Sequence, residues 1–465
     1  MRYDTLIIGA GLSGLAAGIR LAYFEKPVCI LERHTTIGGL NSFYRLHRRD
    51  YDVGLHAVTN YVPPGTKTGP LSKILRQLRL RWEDFDLRPQ CGSQVAFPDH
   101  RLLFKNDFPF FVEQIAQQFP KEIDGFRRLV RAIDEFDLTT DAPPSLSTRK
   151  VLAEYLHDPL LCDMLLCPIM FYGSATPDDL EFIQFVIMFR SIFQEGFGRP
   201  HEGVRLILRQ LIRKYKSLGG ELRLRAGVRS IIADGGRVTG VILDDGTVLE
   251  ADNVVSSAGY VETMHLCDHQ PDAQPCAEGD LRPGELTFFE TISSLNCQPA
   301  DLGHNSTIVF YNDSPQFTYA NPQEPCDLRS GIICSPNNFE YDEPLAEGSI
   351  RITAIANKDY WMTLSDAEYA AEKQRWYEQT TASAIRYIPD FRPAVVQTDS
   401  FTPRTIKKFT GHVNGCVYGA PKKHWSGQTH LNNLFVCGTD QGYLGIIGTM
   451  LSGIMVANRH VLRQG

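Results

Sequence analysis

Six residues near the start of the chain have the types and spacing to hold a phosphate-bearing cofactor. Gly9-Ala10-Gly11-Leu12-Ser13-Gly14 follows the apolar run Leu6-Ile7-Ile8. A helical stretch to about Phe24 then leads to a second apolar run, Val28-Cys29-Ile30-Leu31, which ends in Glu32 and Arg33. Strand, glycine turn, helix, strand and acid stand in the order that a dinucleotide-binding βαβ unit requires. Gly9 permits a tight turn, Gly11 lets the backbone approach a pyrophosphate, and Gly14 lets the helix pack against the strand. The helix N-terminus attracts the phosphate charge, and Glu32 can accept hydrogen bonds from a ribose. Further on, Gly38-Gly39-Leu40 gives a second place where backbone can pass close to a bulky ligand. At the far end of the chain, the strand Leu434-Phe435-Val436 and a helix over 448–461 bring Gly438, Asp440, Gly445 and Ile446 onto one turn.

The elements that must position these residues are spread along 465 residues, a length that suggests two or three domains. Helices are expected over 71–80, 107–136, 145–193, 203–218 and 366–387. Short strands separated by Asp-Gly turns are expected over 221–255, and β-rich runs over 286–292, 306–311 and 349–355. The composition is 43% hydrophobic and 22% charged, ordinary for a globular chain, and the net charge of −7 argues against nucleic-acid binding. The 11 cysteines include no CxxC pair, which reads as free thiols in a reducing cytoplasm, and no metal site is expected. No signal peptide and no membrane span is predicted, so any membrane contact is peripheral and from one face.

Gly9 to Gly39, Asp52-Val53-Gly54, the segment Gly203 to Gly259, Pro403 with Gly415 to Gly419, and Asn433 to Ala457 together resemble the phytoene desaturase and carotenoid isomerase family, within the amine oxidase-like flavoproteins. The resemblance implies FAD as cofactor. It implies an α/β fold in which a Rossmann-like, glutathione reductase-type FAD-binding domain (1–85, 200–265, 400–465) is interleaved with a mixed α+β substrate domain (86–199, 266–399) that contains an apolar helical subregion. It also implies cofactor contacts from Gly9, Gly11, Leu12, Ser13, Gly14, Glu32, Arg33, Gly38, Gly39, Leu40, the backbone of Val228, Gly438, Asp440 as a ribityl ligand, Gly445 and Ile446. One departure stands out: the family has Gly-Asp adjacent with Pro-Gly soon after, whereas this chain reads Gly438-Thr439-Asp440-Gln441-Gly442.

The implied reaction is redox chemistry on carbon–carbon bonds of a long apolar substrate, a carotenoid, other isoprenoid or acyl lipid. Desaturation leads, with isomerisation or saturation of a polyene as variants. The rivals are an FAD amine oxidase and a non-catalytic flavin-bound scaffold at a membrane surface. Glu181 to Phe193 is so apolar that it reads either as a buried helix or as a tunnel wall or membrane-dipping element for such a substrate. Arg190, Arg199, Arg205, Arg209, Arg213 and Lys216 read either as a solvated face or as a lipid-facing one. No catalytic acid or base stands out. His56, Tyr61, Tyr418, Lys422 and His424 lie in segments that can approach a flavin, and Lys422-Lys423 is the place to look for an amine oxidase-like lysine.

Overall fold

The computed structural model describes residues 2–138, 143–267 and 281–464. Two seven-stranded sheets organise it. In the first, strands Glu221–Arg223, Val28–Leu31, Arg2–Ile8, Val248–Ser256 and Leu434–Val436 run parallel in that spatial order. The hairpin strands Val228–Asp234 and Arg237–Leu243 continue it antiparallel. The central strand is buried along its second half, and its neighbour Val28–Leu31 is buried throughout, because helices cover one face of the sheet and the hairpin with helix Tyr260–His265 covers the other. The covering helices are Leu12–Tyr23, Val204–Ser217 and Gly445–Val456. Small residues set how closely they pack: a Cβ on Gly453 would lie 2.0 Å from the Ser13 carbonyl, and one on Gly18 would lie 2.8 Å from the Ile30 side chain.

The second sheet runs Val395–Phe401, Thr287–Leu295, Gly348–Ala356, Ser330–Cys334, Ile308–Asn312, Ser93–Phe97, His100–Phe104. It is antiparallel except where Ile308–Asn312 meets Ser93–Phe97. Its register fixes which side chains share a face. Glu290 lies directly opposite Thr353, and Thr353 opposite Ile332. With a side-chain period of two, Phe288, Glu290, Arg351 and Thr353 therefore project together. Phe289, Ala354 and Ala356 point the other way, onto Trp361 and Trp376.

The apolar segment Glu181 to Phe193 proves to be core. Helix Phe182–Phe189 and the π-turn Arg190–Gln194 bury nearly every side chain. Phe193 stacks on Phe111 at 4.4 Å between centroids, and Phe189 packs against Phe126 and Phe193. The segment lines no part of the main cavity and is buried apart from the partly exposed Glu181, Ile187 and Arg190, so of the expected readings the structure favours the buried helix over the tunnel wall. Phe189 is fully buried, and Phe189→Ala is expected to cost about 3–5 kcal/mol of stability while leaving flavin content unchanged. Urea unfolding and flavin absorbance of the purified variant check both halves.

Four of the six basic residues are engaged by the protein itself, while Arg213 and Lys216 are exposed. Arg199 is buried on Asp52 at 2.6 Å, Arg190 donates to the carbonyls of Ile133 and Asp134, and Arg205 and Arg209 pair with Asp50 and Glu202. Among the described residues, no helix is long and apolar enough to cross a membrane. The ten described cysteines are free thiols; Cys276 lies outside the described residues.

Candidate cofactor and substrate cleft

The carboxyl ends of the parallel strands open onto a cavity of about 920 Å³. Such a crevice is where open parallel sheets bind their ligands. Gly9, Gly11, Leu12, Ser13, Glu32, Arg33, Gly38, Gly39, Leu40, Val228, Gly438, Gly445 and Ile446 all line it. The three glycines of the first turn are needed for different reasons. Gly9 has φ +93°, and a Cβ there would meet Ser257 Oγ at 2.6 Å. Gly14 does not line the cavity; a Cβ there would lie 2.2 Å from the Gly9 carbonyl, so its role is helix-to-turn packing. A Cβ on Gly11 would meet no protein atom within 4 Å and would project into open space.

Two helix N-termini face the cavity, through Leu12-Ser13 and Gly445-Ile446. Neither has a side-chain cap or an acid in its first turn, so their free N–H groups and positive dipole ends are available to an anion. Glu32 is fixed at the end of its strand: Oε2 accepts from the Ala10 N–H and Oε1 from the His34 N–H, both at 2.9 Å. A carboxylate has about four acceptor sites, so two remain for ribose hydroxyls. Gly38 (φ +111°) donates its N–H to the Ala10 carbonyl at 2.9 Å, which lays the double glycine alongside the first turn. A cleft with an open glycine wall, two uncapped helix ends and a ribose-ready acid fits a dinucleotide such as FAD.

Asp440, like Gly14, does not line the cavity. Its carboxylate is buried outside the cavity, where it accepts from the N–H groups of Tyr260 (2.6 Å) and Ala420 (2.7 Å) and lies 3.7 Å from Lys423 Nζ. It thus caps helix Tyr260–His265 from a distance. The inserted Thr439 takes the cavity-lining place beside Gly438. The missing adjacency of Gly and Asp was the signal for this change of register. Lys423 is likewise turned away, donating to the Tyr418 carbonyl at 2.7 Å, and its burial lowers the amine's proton affinity despite Asp440.

Beyond the dinucleotide cradle the cavity becomes apolar and aromatic, walled by Phe171, Tyr172, Phe288, Ile332, Val417 and Tyr418. Of the five residues in segments expected near the flavin, His56 and Tyr418 reach this wall, whereas Tyr61, Lys422 and His424 do not. Glu290, Thr353, Glu262 and His412 line the cavity without having been singled out from sequence. Their neighbours in space are distant in the chain, so no local motif marks them.

Every carboxylate lining the cavity among the described residues is already engaged. Glu32 holds backbone N–H groups, Glu262 sits 3.3 Å from His412 Nδ1, Asp399 lies 3.3 Å from Lys373 Nζ, and Glu290 is clamped by Arg351. Burial alone would raise the Glu290 carboxyl, but the Arg351 charge and His56 outweigh it and hold it at about 2.

Comparison with known proteins agrees with this geometry. A model of the family described as flavin containing amine oxidoreductase matches residues 12–264, more than half of the chain. Prolycopene isomerase from Arabidopsis thaliana is 21% identical over 98% of this chain and 82% of its own length. Human all-trans-retinol 13,14-reductase is 23% identical over 100% of this chain and 86% of its own. Among solved structures, a putrescine oxidase bound to putrescine superposes with a TM-score of 0.67 at 18% identity, covering 100% of both chains, which shows a shared mixed α/β fold. The chain belongs to the flavin containing amine oxidoreductase family and is an FAD-dependent oxidoreductase.

Proposed function

We propose that this flavoprotein saturates or isomerises a carbon–carbon double bond of an apolar polyene, with desaturation as the reverse of the same chemistry. The observation that carries this reading is the character of the far wall: aromatic and aliphatic side chains, with, among the described residues, no lining carboxylate free to receive a cationic substrate. The relatives that match at nearly full length and are named for isomerising prolycopene or reducing retinol support the same substrate class.

In this reading, residues 1–85, 200–265 and 400–465 hold the cofactor, and 86–199 with 266–399 build the substrate side. Glu32 takes the ribose, the Leu12 helix end takes the pyrophosphate, and the Val228 backbone meets the adenine. Gly438 and Thr439 flank the ribityl chain. When bound, FAD supplies the two-electron exchange. The helix starting at Gly445 stabilises negative charge at its N-terminus, and the aromatic wall excludes water from the reacting bond.

Amine oxidation is the second reading, favoured by the fold shared with putrescine oxidase and by an aromatic wall that suits a cation. The test is anaerobic incubation of dithionite-reduced holoenzyme with cis-polyenes and retinoid-class alkenes, read by chromatography of the products. A parallel assay measures peroxide release from an amine panel. Saturated or isomerised alkene is the expected result; peroxide from amines with unchanged alkenes would overturn it.

A further inference from the structure

We propose that His56 is the catalytic proton-transfer residue of this cleft, acting through Nδ1, with Glu290 and Thr353 as its positioning residues. The inference rests on the polyene reading above. His56 lines the apolar end of the cavity. Its Nε2 lies 3.3 Å from Glu290 Oε2 and 3.1 Å from Thr353 Oγ1, so the side of the ring facing the sheet is fixed by two partners. Among the described residues, Nδ1 has no hydrogen-bond partner. A base oriented by a carboxylate on one nitrogen, with the other nitrogen left to the substrate, is the arrangement that general acid–base catalysis uses.

The backbone that carries the ring is pinned as well. Arg351, while paired with Glu290, donates to the carbonyls of Leu55 (3.2 Å) and Val53 (3.3 Å), the residues just before His56. A second polar group waits at the same place. The Tyr172 ring is 6.4 Å from the His56 ring, lines the same cavity, and its hydroxyl is buried with no hydrogen-bond partner among the described residues. A buried hydroxyl facing a cavity points to a ligand that completes it.

In the saturating direction, the proton on Nδ1 goes to one carbon of the double bond while the neighbouring carbon receives hydride from the reduced flavin. One π bond is lost, two C–H bonds form, the flavin gives up two electrons, and the imidazole is reprotonated from water.

The ionisable groups facing His56 are Glu290, Arg351, Cys334, Tyr172 and Tyr418. Glu290 is held at about 2 against its burial by Arg351, and Arg351 is raised. Burial pushes the Cys334 thiol up to about 12 and both tyrosines above their ordinary value. None of the five changes charge near neutrality.

The test compares wild-type and His56→Gln holoenzyme at equal flavin content. Turnover of the alkene is expected to fall about 100-fold or more. In deuterated water, the wild type should place one deuterium on a single face of the product. A readout independent of turnover is carbethoxylation mapped by peptide mass spectrometry: His56 should react in free holoenzyme, be shielded by bound alkene, and regain its free state with hydroxylamine. That measurement needs no variant and holds if His56→Gln fails to fold. Alkene turnover within about threefold of wild type in His56→Gln would overturn the proposal alone. Failure of His56 to react where exposed histidines do would also overturn it alone. Amine turnover without alkene turnover by the wild type would overturn the polyene reading and this proposal together.

Discussion

Gly11→Val is expected to give a folded protein that purifies without flavin. The backbone at Gly11 is extended (φ −69°, ψ 174°), a conformation open to any residue, and a Cβ there meets no protein atom within 4 Å. The substitution therefore costs the fold almost nothing. It places an isopropyl group in the cleft, in front of the first free N–H groups of helix Leu12–Tyr23. A pyrophosphate must come within hydrogen-bond distance of those groups, and the valine occupies that space. A loss of about 4 kcal/mol in binding, about 1,000-fold, is the scale expected when both the contact and its charge stabilisation are removed. The unfolding midpoints of the two apo-proteins should agree within about 2 °C, while wild-type holoenzyme lies higher because the ligand binds only the folded state. Gly9→Val and Gly14→Val are the contrasting pair. The first forces a β-branched residue to φ +93° and against Ser257 Oγ at 2.6 Å; the second drives a side chain into the Gly9 carbonyl at 2.2 Å. Both should lose the fold itself. Flavin absorbance per mole of chain and thermal melts of the apo forms separate the three cases, and equal destabilisation by all three would refute the division of roles.

Those divided roles were legible because they are local. A continuous apolar run, three glycines and an acid within 32 residues carry their own geometry, and helices such as Val204–Ser217 and Asp366–Ala384 appear within a few residues of where periodicity places them. The far wall was not legible. Glu290, Thr353 and His56 are adjacent only because two antiparallel strands pair in one register and a loop from the start of the chain lies across them. In sequence, Glu290 is a lone acid inside the buried run Thr287–Leu295, which offers no hint of its partner. Asp440 misled for a related reason: a Gly-Asp pattern one residue out of step sends the carboxylate to the opposite side of the turn, where Tyr260 and Ala420 claim it. The helix Phe182–Phe189 shows that extreme apolarity specifies burial and not what is buried against it; here it is other phenylalanines.

Arg351→Met should be among the most destabilising single changes in the chain, and the loss should depend on pH. Arg351 and Glu290 are both buried in the second sheet, and the guanidinium also ties the loop at Val53 and Leu55 to that sheet. Removing it leaves a buried carboxylate with its main counter-charge gone, a change that costs about 3–5 kcal/mol. The folded Glu290 carboxyl is held at about 2, below its free value of 4.5. Its contribution to stability is therefore fully present above about 4.5 and lost as pH falls through 2, and the gap corresponds to about 3 kcal/mol. Without Arg351, burial is the dominant influence and raises the carboxyl, so the variant can relieve its unpaired charge by taking up a proton. The difference between wild type and Arg351→Met should thus be largest near neutral pH and narrow toward about pH 4.5. Adding Glu290→Gln to Arg351→Met removes the stranded charge and should recover part of the loss at neutral pH, whereas at low pH it should add nothing. Urea unfolding of the apo-proteins across that pH range measures all three. A loss independent of pH, unrelieved in the double variant, would mean that Arg351 acts through the carbonyls of Val53 and Leu55 and that its charge pair with Glu290 contributes little.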